Sequence, residues 1–277
     1  MTAFDSKSIF LWNTAAIAPP STIAAALVAG GFESVSLHGQ NLNAWRSLHS
    51  RAEVDAYKAA GLGVIGSVAV YGYYPDADGK AAAAIAKDYQ LDGMTFDIES
   101  TFERQADTAE VETMMKAYRA IVPALPTAWC SWPRFWRPRD NTAWHPVALM
   151  AMGMRYCDYG MPMVYSPDID STFGVLELMS QSIKQWRDYT DKPLVMAGRA
   201  YNGEGYTAKP EHVTAFADAA RTAGCPGVTW WAYDYAVKLS PIWQALAGIN
   251  GFAGKPVESQ LDRIERMVRE IWEMGRV

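Results

Sequence analysis

Short apolar runs and helix-forming runs alternate eight times along the 277 residues of this chain, and its fold has to accommodate that alternation. The apolar runs fall at residues 9–13, 34–38, 63–71, 93–99, 127–131, 158–165, 193–199 and 227–233. They are short, rich in β-branched and aromatic residues, and bounded by turn-forming residues, as strands are. Helix-forming stretches lie between and after them, at residues 21–30, 52–60, 80–89, 109–121, 147–152, 172–189, 211–223 and 241–246. Strands separated by helices run parallel, because a parallel pair needs a long crossover. Several of the runs are nearly all apolar, as expected of strands covered on both faces. Eight such units predict an α/β fold of the (β/α)8 TIM-barrel type, which needs about 250 residues. The alternative is an open doubly wound sheet. The glycine-rich dinucleotide fingerprint of such sheets is missing, and so is a P-loop.

Beyond a linker near residues 248–256, Val257, Leu261, Ile264, Val268 and Ile271 are spaced 4-3-4-3 with charged residues between them. That is the seam of a short coiled coil. Residues 1–250 are therefore read as the barrel, and 251–277 as linker plus an extra amphipathic C-terminal helix. Two heptads leave two roles open for that helix: docking on the barrel, or acting as a homo-oligomerisation helix or tether.

Half of the residues are hydrophobic and a fifth are charged, so a large packed core is expected rather than disorder. A formal net charge of -5 with no basic run argues against a nucleic-acid partner. No apolar run is long enough to span a membrane. The segment 9–18 follows a lone lysine, too weak a flank for a signal peptide. It is read as the first strand, and the protein as cytoplasmic at synthesis. Cys130, Cys157 and Cys225 are far apart, odd in number and without a CxxC pair. That argues against structural zinc and makes each a small buried hydrophobe. No metal and no organic cofactor is expected. Met150, Met152 and Met154 are read as core filler.

Barrels place chemistry at the carboxyl ends of their strands. There the sequence sets Trp12, His38, Tyr71, Asp97, Glu99, Trp129, Ser131, Trp132, Tyr165, Arg199, Tyr201, Trp231 and Asp234. Asp97 and Glu99 are two residues apart, so on a strand they share one face. Two such carboxyls can hold different protonation states, which suits cleavage of a glycosidic bond. Glu99 is read as the general acid/base, its charge disfavoured by an apolar, aromatic surrounding. Asp97, one pleat deeper, would orient a substrate group or share a proton with Glu99. The competing reading has both residues capping the next helix. Trp12, Trp231 and Tyr201 are candidate substrate contacts, and Trp129, Trp132 and Trp136 could extend a sugar-binding cleft, with simple packing as the alternative for those three. Arg199 offers a planar fork of donors to a substrate oxygen, or a structural ion pair. Asp234 is a further substrate-binding candidate. His38 is read as a satisfied core or rim histidine, with contact to substrate as the alternative.

Three segments carry a resemblance. Asp92-Gly93-x-x-x-Asp97-x-Glu99 resembles the strand-four motif DGxDxDxE of chitinase-like enzymes, glycoside hydrolase family 18. Met163-Val164-Tyr165 resembles that family's M-x-Y-D/N motif, and Gly227 to Asp234 its G-x-M-x-W-x-x-D pattern. The resemblance spans roughly the barrel. It implies that Glu99 protonates the leaving oxygen while Asp97 positions the substrate's own 2-acetamido group as nucleophile. It also implies that Tyr165 supports that group and Trp231 floors the sugar pocket. Substrate assistance of this kind departs from the two-carboxylate scheme. Thr95 stands where the family has the first aspartate of DxDxE, and Ser166 where Asp or Asn follows the tyrosine. Family 25 lysozymes also carry Asp-x-Glu on a barrel strand. They begin with a strand-one aspartate, where this chain reads Phe10-Leu11-Trp12-Asn13.

The sequence thus predicts a glycosidase with a polysaccharide substrate of N-acetylated amino sugars, peptidoglycan or chitin-like. Lacking an export signal, it fits a phage-type cell-wall lysin or virion-associated hydrolase. Two readings compete: a non-catalytic carbohydrate-binding barrel, motivated by Thr95 and Ser166, and a structural assembly subunit, motivated by the terminal heptads.

Overall fold

A computed structural model describes residues 2–137, 142–143, 145–165, 171–203, 206–250 and 252. The apolar runs form strands: β1 (Ser8–Leu11), β2 (Ser34–Gly39), β3 (Gly63–Val70), β4 (Gly93–Ile98) and β5 (Thr127–Ser131). After them come β6 (Trp136–Arg137), β7 (Thr142–Ala143), β8 (Tyr159–Pro162), β9 (Val195–Arg199) and β10 (Gly227–Trp231). β1-β2-β3-β4-β5-β8 make one curled parallel sheet, and β9 and β10 make a parallel pair. β6 and β7 are a two-residue antiparallel ladder in the long connection after β5. Single parallel bridges join the pair to both edges of the larger sheet, Gly160–Leu194 and Met163–Ala197 at one edge and Lys7–Val228 at the other. The eight expected strands are therefore present, but six share a continuous ladder and two are attached by isolated bridges. An unbroken ring of eight is not what the hydrogen bonds form.

Strand side chains alternate faces, and the curl turns that alternation into two cores. Phe10, Ile65, Ala128, Met161, Val195 and Ala197 fill the inside. Val35, Leu37, Val64, Phe96 and Trp129 face outward into the larger core under the helices. The helix Thr108–Ile121 starts at a capping box, Asp107 with Glu110, and turns Val111, Met114, Met115 and Tyr118 inward. It packs on Pro75–Asp88 so closely that a Cβ on Gly79 would stand 2.1 Å from the Met114 carbonyl oxygen. Pro75–Asp88 begins five residues ahead of expectation, with Pro75 in its first turn and Asp76 and Asp78 beside the helix N-terminus. Among the helices not expected are Leu42–Leu48 and Ser100–Gln105. Both are short and lack a long apolar stripe. Asn41 starts the first by accepting from the Ala44 amide at 2.8 Å.

At the amino end of β1, Lys7 is fully buried. Its ammonium donates to the carbonyls of Gly30 (2.6 Å) and Ile249 (2.8 Å) and lies 4.6 Å from the Phe32 ring centre. The first strand is thereby fastened to the last described segment. Burial pushes the Lys7 pKa down to about 8. The heptad seam from Val257 to Ile271, and Ser166, lie outside the described residues. Among the described residues no helix is long and apolar enough to cross a membrane.

Candidate active site

β4 carries Asp97 at its penultimate position, and Glu99 follows its last residue. The extended backbone sends both side chains to the inner face. They differ in exposure: Asp97 is 9% exposed, whereas Glu99 is exposed at the rim. Glu99 occupies the N-cap position of Ser100–Gln105 but makes no capping hydrogen bond with its side chain. The pair therefore does not cap the next helix. Both residues line a cavity of about 440 Å³ at the carboxyl ends of the strands.

The cavity wall is largely aromatic. Trp231, at the end of β10, packs against Phe10 (centroids 5.4 Å), Trp12 (6.0 Å) and His38 (4.8 Å, rings at 89°). Tyr165, Tyr201 and Tyr71 complete the opposite rim. Burial and the neighbouring charges of Asp97 and Glu99 push the phenols of Tyr71 and Tyr165 above their ordinary range. Both remain protonated donors at neutral pH. Burial, then the charge of Glu99, raises the Asp97 carboxyl well above the usual carboxylate range, while the neighbouring Cys130 thiol pulls it back. Of the pair, Asp97 is at the floor and is the desolvated one, while Glu99 is at the mouth.

Six of the nine residues singled out as catalytic or substrate-binding meet at this cavity: Asp97, Glu99, Tyr165, Trp12, Tyr201 and Trp231. Three do not line it. Trp129 is fully buried on the outer side of β5, against Gly153, where a Cβ would come within 2.3 Å of the indole. It belongs to the outer core, and its place in a sugar-binding cleft is corrected. The Arg199 guanidinium lies over the rings of Tyr201 (4.2 Å) and Tyr206 (4.4 Å) and donates to the carbonyls of Tyr201 and Gly203. It braces the segment after β9 instead of facing the cavity. Asp234 accepts from the backbone amides of Trp12 and Asn13. Its contact with substrate is replaced by an indirect task, holding the chain that carries Trp12.

Among the lining residues not chosen as catalytic or substrate-binding, His38 and Cys130 bear on the chemistry. His38 lines the cavity rather than the core alone, with Nδ1 3.1 Å from Ser67 Oγ. Burial, and then His49 behind it, push its pKa down to about 3, so it is neutral. Cys130, opposite Asp97 on β5, forms part of the floor. The ladder register finds it: Asp97 pairs with Cys130, and Trp129 then points outward. Among the described residues no group of three His, Cys, Asp or Glu side chains is arranged to hold a metal ion.

No family model and no curated protein matches the sequence. Solved structures do match in fold. Active domain 2 of a chitinase from Pyrococcus furiosus superposes with TM-score 0.63 at 13% identity, over 95% of each chain. The GH18 chitinase ChiB of Flavobacterium johnsoniae gives 0.56 at 12%, over 87% of this chain and 96% of that one. The spore cortex-lytic enzyme SleL of Bacillus megaterium QM B1551 gives 0.53 at 12%, over 87% and 74%. At such identities the likeness establishes the fold. These neighbours are glycoside hydrolases of TIM-barrel-like architecture.

Proposed function

We propose that this chain is a glycoside hydrolase acting on a polymer of N-acetylated amino sugars, peptidoglycan or chitin-like, and that its eight strands serve as one (β/α)8 barrel. One observation carries the reading: an exposed carboxyl, Glu99, and a buried one, Asp97, share a face of β4 inside an aromatic-walled cavity. Glu99, open to the mouth, protonates the leaving oxygen and afterwards takes a proton from water. Asp97 and Tyr165 hold the 2-acetamido group that attacks the anomeric carbon, and Trp231 and Trp12 receive sugar faces. The chitinase and cortex-lytic folds among the neighbours support this substrate class.

Incubation with peptidoglycan and with chitin oligomers, read by product masses, tests it. Glu99→Gln is expected to lower turnover by about 10²–10⁴-fold, the range for a lost general acid, while sugar binding persists. Wild-type protein that binds oligomers and releases no product would instead favour a carbohydrate-binding barrel. Thr95 motivates that second reading, because its buried hydroxyl has no hydrogen-bond partner where the resembling family has a carboxylate. As a phage-type lysin, the protein would use its C-terminal seam as a tether or oligomerisation helix. Sizing with and without the residues after 254 checks that role, and an unchanged mass counts against oligomerisation.

A further inference from the structure

β4 and β5 are neighbours, and Asp97 stands directly opposite Cys130 across their parallel ladder. Both side chains turn inward and form the cavity floor. Cys130 is 2% exposed, and its thiol lies beside the Asp97 carboxyl. Burial and two nearby carboxyls keep its proton on sulfur, so the thiol is the donor. The other candidate donor beneath Asp97 makes no such contact: the Thr95 hydroxyl is buried without a partner, and so is Asp97 Oδ1. A thiol in this place has a particular electrostatic value. It gives the carboxyl a donor without adding a charge, whereas a third carboxylate would add one.

We infer, resting on the glycosidase reading above, that Cys130 is a positioning residue whose thiol fixes the orientation of Asp97 and favours its ionised form. The titratable groups facing Asp97 are Glu99 on its own strand, Cys130 from β5, Tyr71 after β3 and Tyr165 after β8. His38 stands on the cavity wall from β2. Tyr71 and Tyr165 stay protonated and His38 stays neutral across the working range, so a shift in that range reports the Asp97–Glu99 pair as a unit.

Two measurements test the inference. Cys130→Ala is expected to move the acidic limb of kcat/KM to higher pH by about one unit, the size of one lost hydrogen bond to a charged group. Cys130→Ser, which keeps a donor, should hold the limb near wild type. A limb unmoved in Cys130→Ala, or moved equally in both variants, overturns the positioning role. The second readout needs no turnover. The Cys130 S–H stretching band, assigned by its loss in Cys130→Ala or its replacement in Cys130→Ser, should rise in frequency in Asp97→Asn, whose amide oxygen is the weaker acceptor. A band that ignores Asp97→Asn overturns the contact. If the wild type cleaves neither polymer, the glycosidase reading fails while the infrared result still decides the thiol–carboxyl bond. If Cys130→Ala does not fold, the serine variant and the Asp97→Asn spectrum decide.

Discussion

Among the described residues three buried carboxylates, Glu53, Asp234 and Asp97, differ in how far they are satisfied. Glu53 is approached by Thr14 Oγ1 (3.4 Å), the Tyr57 hydroxyl (3.3 Å) and His49 Nδ1 (3.2 Å). Asp234 takes two backbone amides. Asp97 has only the neutral Cys130 thiol beside it and one oxygen with no partner. Burying a polar atom unpaired costs about 1–3 kcal/mol, more when it is charged. The first two residues are bound to the scaffold they stabilise. The third is left under-satisfied beside a cavity, where an incoming amide or hydroxyl can complete its hydrogen bonds. On the proposed glycosidase reading, the contrast sets structural acids beside a functional one.

Substitutions break the comparison directly. Asp97→Asn is expected to lower turnover about 10³-fold with no loss of stability, because it replaces an under-satisfied acid by a neutral isostere; kinetics and urea unfolding measure the two. Glu53→Gln should do the reverse. It leaves His49 opposite an amide in the interior, and breaking such a buried pair costs about 3–5 kcal/mol, read as a lower urea midpoint with the activity of the remaining folded protein retained. Equal loss of stability in both variants would erase the distinction. The aromatic residues sharpen it one step further. Trp12→Ala is expected to weaken oligosaccharide binding by about 1–3 kcal/mol in calorimetry, the scale of a buried aromatic contact, while leaving the unfolding midpoint within error.

How much of this could be read from residues alone depended on the range of the forces involved. The strands were legible because their apolar runs are local and nearly uninterrupted. Asp97 and Glu99 were legible because a period of two puts them on one face whatever the register. Trp129 was misread for the same reason in reverse. Only the ladder that pairs Asp97 with Cys130 reveals that β5 turns residue 130 inward, and a slip of one residue exchanges the two faces. Asp234 and Arg199 failed differently: they stand near the right strand ends, but backbone groups claim them, in the case of Asp234 on a segment more than two hundred residues away. No spacing rule encodes such a partner. The helices Leu42–Leu48 and Ser100–Gln105 escaped because their helicity comes from caps and packing, not from an apolar stripe.

The smallest expected effect is one of pH, and it has opposite signs at two buried groups. The Asp97 pKa is raised on folding, so between its unfolded value near 3.8 and its folded one the native state holds more protons. Its contribution to stability is complete below that window and is lost as pH rises through the folded value. Lys7 is lowered from 10.5 to about 8, so there the unfolded chain holds more protons. Its contribution is complete above 10.5 and is lost as pH falls through 8. Urea midpoints followed from pH 4 to 10 should therefore fall on the acidic side and recover on the alkaline side. Asp97→Asn should flatten the first slope alone and Lys7→Met the second alone. If Asp97→Asn left the acidic slope intact, Asp97 would ionise as a solvated acid does, and its burial would carry no cost to the folded state.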